Sequence, residues 1–227
     1  MAEPRATKDR IFEQFARIGH AVASPKRLEL LDLLCQSEKS VETLANQAAL
    51  SVANTSRHLQ ILRAARLVDT RKAGLYVYYR LADAEVCSFF RSLRQMAVSR
   101  LAEIDLIVRD YFDDPKKLKP VDRRKLLKQA KSGNIIILDV RPRDEYAAAH
   151  IPYARSIPLQ ELRKSIAKFS KDKEIVAYCR GPYCVLAQEA MKVLRAKGFK
   201  ADRLEDGVNE WRETGLPIVM GEAAVKE

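Results

Sequence analysis

The stretch EIVAYCRGPYCVLAQEAMKVLRAKGF, residues 174–199, is where the fold of the second half of the chain can be read. Residues 174–178 form a short apolar run of the kind a buried strand makes. From Val185 onward apolar residues recur at Leu186, Ala190, Val193 and Leu194, which is helical spacing. Cys179 therefore stands at a strand-to-helix switch, with Cys184 at the far end of the same short loop. At such a switch backbone N–H groups lack partners, and the positive end of the helix dipole lies behind them. A thiol there is expected to lose its proton more readily than a free cysteine and to act as a nucleophile at neutral pH. The bland alternative is a small buried apolar side chain, a common fate of cysteine.

Working outward, NIIILDVRPRDEYAAAHIPYARSIPLQEL (134–162) and ADRLEDGVNEWRETGLPIV (201–219) again set short apolar runs between helical patterns. Such runs indicate a parallel sheet buried on both faces, and open sheets of this kind place their chemistry at the carboxyl ends of strands. Upstream, FDDPKKLKPVD (112–122) carries two prolines among charged residues and suits an interdomain linker. Two domains of different class follow: residues 1–112, mainly α-helical; a linker at 113–121; and an α/β domain at 122–227.

Within the first domain, KDRIFEQFARIGHAVAS has a helical pattern, and SPKRLELLDLLCQ starts with Ser24 at an N-cap and Pro25 at the first helical position. SVETLANQAAL and SVANTSRHLQILRAARLV then read as two short amphipathic helices joined by a tight turn at Ala49–Ser51. That is helix-turn-helix spacing. LVDTRKAGLYVYYRL follows as a hairpin turning around Lys72–Leu75, so the unit is a winged helix. The last helix, read as one element from Asp83 to Phe112, carries apolar residues at Val86, Phe89, Phe90, Leu93, Met96, Ala97, Leu101, Ile104, Val108 and Tyr111. A stripe of that length calls for a second subunit, and a two-fold dimer matches a palindromic operator.

Composition agrees with a folded protein: 227 residues, 47% hydrophobic and 31% charged. There is no signal-peptide pattern and no apolar run long enough to cross a bilayer, so a cytoplasmic location without membrane contact is expected. In that compartment the four cysteines are expected to be reduced, catalytic or redox-sensing. The net charge of +11 suggests a polyanionic partner, but its densest part is residues 115–131, with eight basic residues and one acid. That run reads as a linker and a solvated helix face rather than a DNA reader.

The string SPKRLELLDLL, the SRHLQILRAARLV helix and the YVYYRL wing strand resemble the ArsR family of dimeric winged-helix repressors over roughly residues 8–110. The resemblance implies that the second helix of the motif enters the major groove, with Asn54, Thr55, Ser56, Arg57 and His58 as base readers or anchors. Arg71 and Lys72 in the wing would hold phosphates, while Leu59, Ile61 and Leu62 belong to the core. His58 is equally well placed to pack against the backbone. Many members sense metals through cysteines before the recognition helix or through His and Asp pairs on the last helix. KSVETLANQ has no cysteine and the last helix has no histidine pair, so no metal is expected. Cys35 and Cys87 remain as a possible dithiol sensor, but each falls in an apolar run and reads as core.

The second domain resembles the rhodanese family through Asp139, Arg141, Glu145, Tyr146, His150, Ile151, Pro152, Ala154, Ile157 and Pro158, then Cys179, then Gly207, Trp211, Gly215, Leu216 and Pro217. The resemblance implies that Cys179 accepts sulfur and cycles between thiolate and persulfide, with no cofactor. The loop departs from the family's commonest form: Pro182 replaces a Gly and Cys184 replaces a final Arg. Loss of that bidentate anion clamp counts against thiosulfate as donor, although Arg180 offers part of the charge. Cys184 either attacks a Cys179 persulfide and releases its sulfur, or simply caps the loop; both readings stay open. A zinc site from Cys179, Cys184 and His150 lacks the usual paired ligand spacing. Phosphatase and arsenate-reductase loops are one residue longer and end in Arg, so this loop better suits a sulfur atom.

The expected protein is a homodimeric, operator-binding regulator of double-stranded DNA. Its C-terminal domain senses or transfers reactive sulfur, from a donor such as polysulfide or thiosulfate, through a Cys179 persulfide. The competing expectation is a sulfurtransferase, or less readily an arsenate reductase, whose winged helix serves only dimerisation or targeting.

Overall fold

The computed structural model describes residues 3–112 and 122–221. The expected linker at 113–121 lies outside the described residues. In the first half, α1 (Pro4–Val22) and α2 (Pro25–Leu34) precede a two-residue strand β1 (Lys39–Ser40). Then come α3 (Val41–Gln47), α4 (Val52–Ala64), the hairpin β2 (Val68–Ala73) and β3 (Tyr76–Leu81), and α5 (Ala84–Arg100). Pro25 opens α2, where its missing N–H would have no helical partner, and Ser24 precedes it in extended backbone without a side-chain capping bond. Ser40 and Ser51 do cap, accepting from Thr43 N and Asn54 N at 3.2 Å each. Between α3 and α4, Ala49 takes φ 52°, a left-handed step that turns the chain. The hairpin closes through Gly74, at φ 58°, and Leu75, so that Ala73 pairs with Tyr76. Strand order is β1-β3-β2, and Leu30, Leu31, Leu44, Leu59 and Leu62 are fully buried beneath the sheet and helices. This is the expected winged helix-turn-helix.

Two expectations for this half are corrected. Cys35, at the C-cap of α2, and Cys87, on α5, do pack at the core, but as a disulfide with Cα atoms 5.6 Å apart rather than as separate thiols. They lie 52 residues apart in sequence, and only the packing of α2 on α5 brings them together. The long last helix is broken at Leu101, whose extended backbone (φ −111°, ψ 96°) ends the run and starts α6 (Ala102–Tyr111). Apolar periodicity does not register one residue leaving helical geometry. The chain divides into two compact units, Met1–Arg100 and Leu101–Glu227. Contacts explain why α6 goes with the second unit: Tyr111 donates to Glu189 Oε1 at 2.7 Å, and Phe112 is buried with the Arg203 guanidinium 4.7 Å from its ring centre.

The rest of that unit runs α7 (Arg123–Lys131), β4 (Ile135–Asp139), α8 (Arg143–Ala148), β5 (Arg155–Ser156), α9 (Leu159–Ser165), β6 (Glu174–Tyr178), α10 (Val185–Ala196), β7 (Ala201–Arg203) and α11 (Val208–Glu213). The described part of the basic run is thus α7, capped by the Asp122 carboxylate and seated on the core through Leu126. The four later strands form a parallel sheet in the order β5-β4-β6-β7, with Asp139 beside Tyr178 at the carboxyl ends of the central pair. Alternate residues face opposite sides: Ile136 and Leu138 join the cluster containing Leu162, Met191 and Leu194, while Ile135 and Ile137 join that of Tyr146 and Trp211. Both faces are covered, as continuous apolar strands require.

At the sheet's carboxyl edge sits a buried polar network. Arg141, 1% exposed, donates from Nε to Asp139 Oδ1 at 3.0 Å and from Nη2 to Asp139 Oδ2 at 2.6 Å and to the Ala149 carbonyl at 2.7 Å. The Tyr178 hydroxyl donates to Asp139 Oδ2 at 2.5 Å and accepts from Ile151 N at 3.2 Å. Burial works against the Arg141 charge, but the adjoining Asp139 carboxylate more than restores it and holds its pKa above the usual arginine value.

Removing one partner of such a pair strands the other charge. Asp139→Asn is therefore expected to destabilise the protein by about 3–5 kcal/mol, read as a lowered urea midpoint at unchanged slope. Opening the Cys35–Cys87 bridge with Cys35→Ser is expected to cost about 2–4 kcal/mol by freeing the unfolded chain, with a matching loss for wild type in reductant.

Candidate functional site

The loop Cys179–Cys184 joins β6 to α10, as read from the sequence. Its shape is imposed from three sides. Arg180 is drawn inward to the fully buried Glu145 carboxylate of α8, with Nε 3.1 and 2.9 Å from the two oxygens and Nη2 2.7 Å from Oε1. Arg203, at the end of β7, donates from Nη1 to the Pro182 carbonyl at 2.9 Å. Gly207 lies so close that a Cβ there would meet the Arg180 carbonyl oxygen at 2.4 Å, which only glycine tolerates. Arg180, expected to offer part of the charge for an anionic donor, has its guanidinium fork engaged by Glu145, while its charge still favours a thiolate at Cys184.

The two thiols are unequal. Cys179 is 2% exposed, with Sγ 3.3 Å from the Cys184 carbonyl oxygen, while Cys184 is half-buried between the exposed side chains of Tyr183 and Val185. Both sulfurs accept backbone N–H bonds: Cys179 from Ala187 and Gly181, Cys184 from Arg180 and Leu186. Burial pushes the Cys179 thiol well up, and its contact with Cys184 adds to this. The hydrogen bond from Cys179 holds the Cys184 thiol down at about 7 against burial, helped by the Arg180 amide and charge. The expectation of a depressed Cys179 pKa is thus reversed: the helix N-terminus favours a thiolate, but it is Cys184 that occupies the N-cap of α10, and Cys179 lies beneath it.

His150, expected as a third zinc ligand at most, is buried, stacks on Tyr146 at 3.7 Å and bonds the Tyr146 carbonyl through Nδ1 at 2.9 Å. Burial lowers its pKa. Among the described residues no cluster of three or more His, Cys, Asp or Glu could hold a metal.

In the winged helix, Asn54 and Arg57 are exposed on α4, and Ser56 and His58 are half-buried. Thr55 is not a reader: it is fully buried, and its hydroxyl donates to the Ser51 carbonyl at 3.0 Å. His58 Nδ1 is enclosed with no hydrogen-bond partner among the described residues. Lys72 is exposed in the wing, whereas Arg71 pairs with Glu38 and lies 5.0 Å from the Tyr78 ring centre, so it would have to exchange a partner to hold a phosphate. Sequence reading missed the clamping roles of Glu145 and Arg203. A basic residue ending the short ADR strand, on the same side as the buried Ala201, was the available signal for Arg203.

These features define a helix-turn-helix unit in one chain with a parallel α/β unit that presents a two-cysteine loop. The chain matches the family described as bacterial regulatory protein, arsR family, over residues 24–70, and the rhodanese-like domain over 122–214. It is 38% identical over 221 residues to the HTH-type transcriptional regulator Rv0324 of Mycobacterium tuberculosis, covering 97% of each chain. It is 29% identical over 94 residues to a sulfurtransferase of Allochromatium vinosum, covering 41% of this chain and 86% of that one. Among solved structures, the homodimeric winged helix-turn-helix DNA-binding domain of a possible ArsR-family regulator from Mycobacterium bovis is 36% identical. It covers 44% of this chain and 94% of that one, with a TM-score of 0.42. The chain belongs to the ArsR-family regulators that carry a C-terminal rhodanese domain.

Alkylation should separate the thiols. Cys184 is expected to react faster than Cys179 at neutral pH, with a rate that climbs as pH rises through about 7, where its thiolate forms. Site-resolved mass spectrometry of alkylated protein across pH 5.5–9, on the order of the window a thiol titrates in, checks this.

Proposed function

We propose that the protein is a homodimeric transcriptional regulator that binds a palindromic double-stranded operator, and that sulfane sulfur taken up at the Cys179–Cys184 loop, ending as a Cys179 persulfide, sets its affinity for DNA. The observation that carries the reading is the pairing, in one chain, of a capped helix-turn-helix with a loop holding two amide-cradled thiols in contact. Dimerisation is supported by apolar side chains left uncovered on α1 and α5: Ile11, Phe12, Phe15, Phe89 and Met96 are all exposed. DNA binding is supported by the exposed Asn54 and Arg57 near the start of α4, by Lys72 in the wing and by the excess of basic residues. The loop geometry favours a sulfane-sulfur donor such as polysulfide over thiosulfate, since the loop's own arginine is paired with Glu145.

The test is a gel shift on the region upstream of the gene, with and without polysulfide. Sequence-selective binding that changes after sulfur loading, and no longer changes in Cys179→Ser, is the expected result. Sulfur uptake with no preference over bulk DNA would instead make the protein a sulfurtransferase with a winged helix used for assembly. Arg57→Ala should weaken operator binding by roughly 1–3 kcal/mol if Arg57 reads a base, and by less, with a flatter salt dependence, if it holds only phosphate; a titration at several salt concentrations distinguishes these.

A further inference from the structure

The two thiols of the loop touch, yet they meet the outside differently. Cys179 belongs to the apolar cluster with Ala177, Ala187 and Met191 and has almost no exposed surface, whereas Cys184 only packs against the edge of that cluster. A thiolate displacing sulfur from a donor must approach in line with the sulfur–sulfur bond it breaks, so an attacking sulfur needs open space in front of it. Of the two loop thiols Cys184 is the more exposed, half-buried between the exposed Tyr183 and Val185, whereas Cys179 is 2% exposed. The loop's arginine, Arg180, has its guanidinium fork engaged by the buried Glu145.

We propose that Cys184 is the entry nucleophile, taking sulfur from an external persulfide or polysulfide and handing it to the buried Cys179, which stores it. This order rests on the sulfur-uptake reading above. In the first step the Cys184 thiolate attacks the sulfane sulfur of R–S–SH. A sulfur–sulfur bond forms at Cys184, the bond to R–S breaks, and R–S⁻ leaves. In the second step Cys179 attacks the outer sulfur, whose bond to Cys184 breaks. The transferred sulfur keeps the proton it brought from R–S–SH, the Cys179 proton passes through solvent to the departed R–S⁻ to give R–SH, and Cys184 returns to its thiolate. One sulfane sulfur moves at each step, so no outside oxidant or reductant is consumed. The lower proton affinity of Cys184 makes it both the readier attacker at neutral pH and the better leaving group in the hand-over.

A time course on the full-length protein tests the order. Inorganic polysulfide is added, the reaction is quenched with an alkylating reagent, and tryptic peptides are weighed. Cleavage after Lys173, Arg180 and Lys192 puts Cys179 in residues 174–180 and Cys184 in residues 181–192, so the two thiols report separately. In wild type the extra sulfur should appear first on the Cys184 peptide and later on the Cys179 peptide. Cys179→Ser should trap it on Cys184, and Cys184→Ser should load Cys179 at least about tenfold more slowly. Sulfur on Cys179 first in wild type, or wild-type loading of Cys179 in Cys184→Ser, overturns the order alone. Wild type with no added sulfur on either peptide overturns both the order and the uptake reading. The wild-type course needs no substitution, so misfolding of a variant leaves the decision intact.

Discussion

Asp139 is buried completely, and its two oxygens accept from Arg141 and from the Tyr178 hydroxyl. A carboxylate and a guanidinium inside a protein persist only when each meets the other in good geometry, and here the geometry ties the carboxyl ends of β4 and β6 together. Tyr178 is the residue before Cys179. The network therefore fixes where β6 stops and the cysteine loop starts, and its remaining bonds to Ile151 N and the Ala149 carbonyl anchor the segment that leads into β5. The same device recurs one step out, where the buried Glu145 takes the Arg180 fork. Charge is spent on holding the loop's shape, and the backbone amides are left to face the sulfurs.

That division of labour accounts for the inverted thiols. A helix N-terminus favours a thiolate at whichever sulfur occupies the cap, and the sequence places two cysteines close enough to compete for it. Cys184 holds the cap position, while the tight approach of Gly207 to Arg180 and the apolar packing around Ala187 seal Cys179 beneath it. The hydrogen bond between the sulfurs then divides the proton unequally, raising one affinity and lowering the other.

In the winged helix the local signals were reliable where they concerned neighbours along the chain. Ser40 and Ser51 cap, Gly74 turns the hairpin, and apolar spacing marks α1 to α5. They were weaker where a side chain had to choose between solvent and core. Thr55 sits among polar residues at the start of α4 and looks available to DNA, but the helix face it occupies points inward and its hydroxyl bonds the backbone one turn back. Arg71 looks like a free wing cation until Glu38, 33 residues earlier, is found beside it.

The sequence by itself determined the two-part organisation, the helix-turn-helix and wing, the parallel sheet and the position of the cysteine loop, because each follows from periodicity, capping or turn chemistry within a few residues. The tertiary structure alone decided that α6 breaks from α5 at Leu101, that Cys35 and Cys87 meet, that Arg180 is held by Glu145 and that Cys184 rather than Cys179 carries the more acidic thiol. Each of these depends on the distance between atoms far apart along the chain, and on how completely water is excluded between them. Neither quantity is written in the spacing of residues.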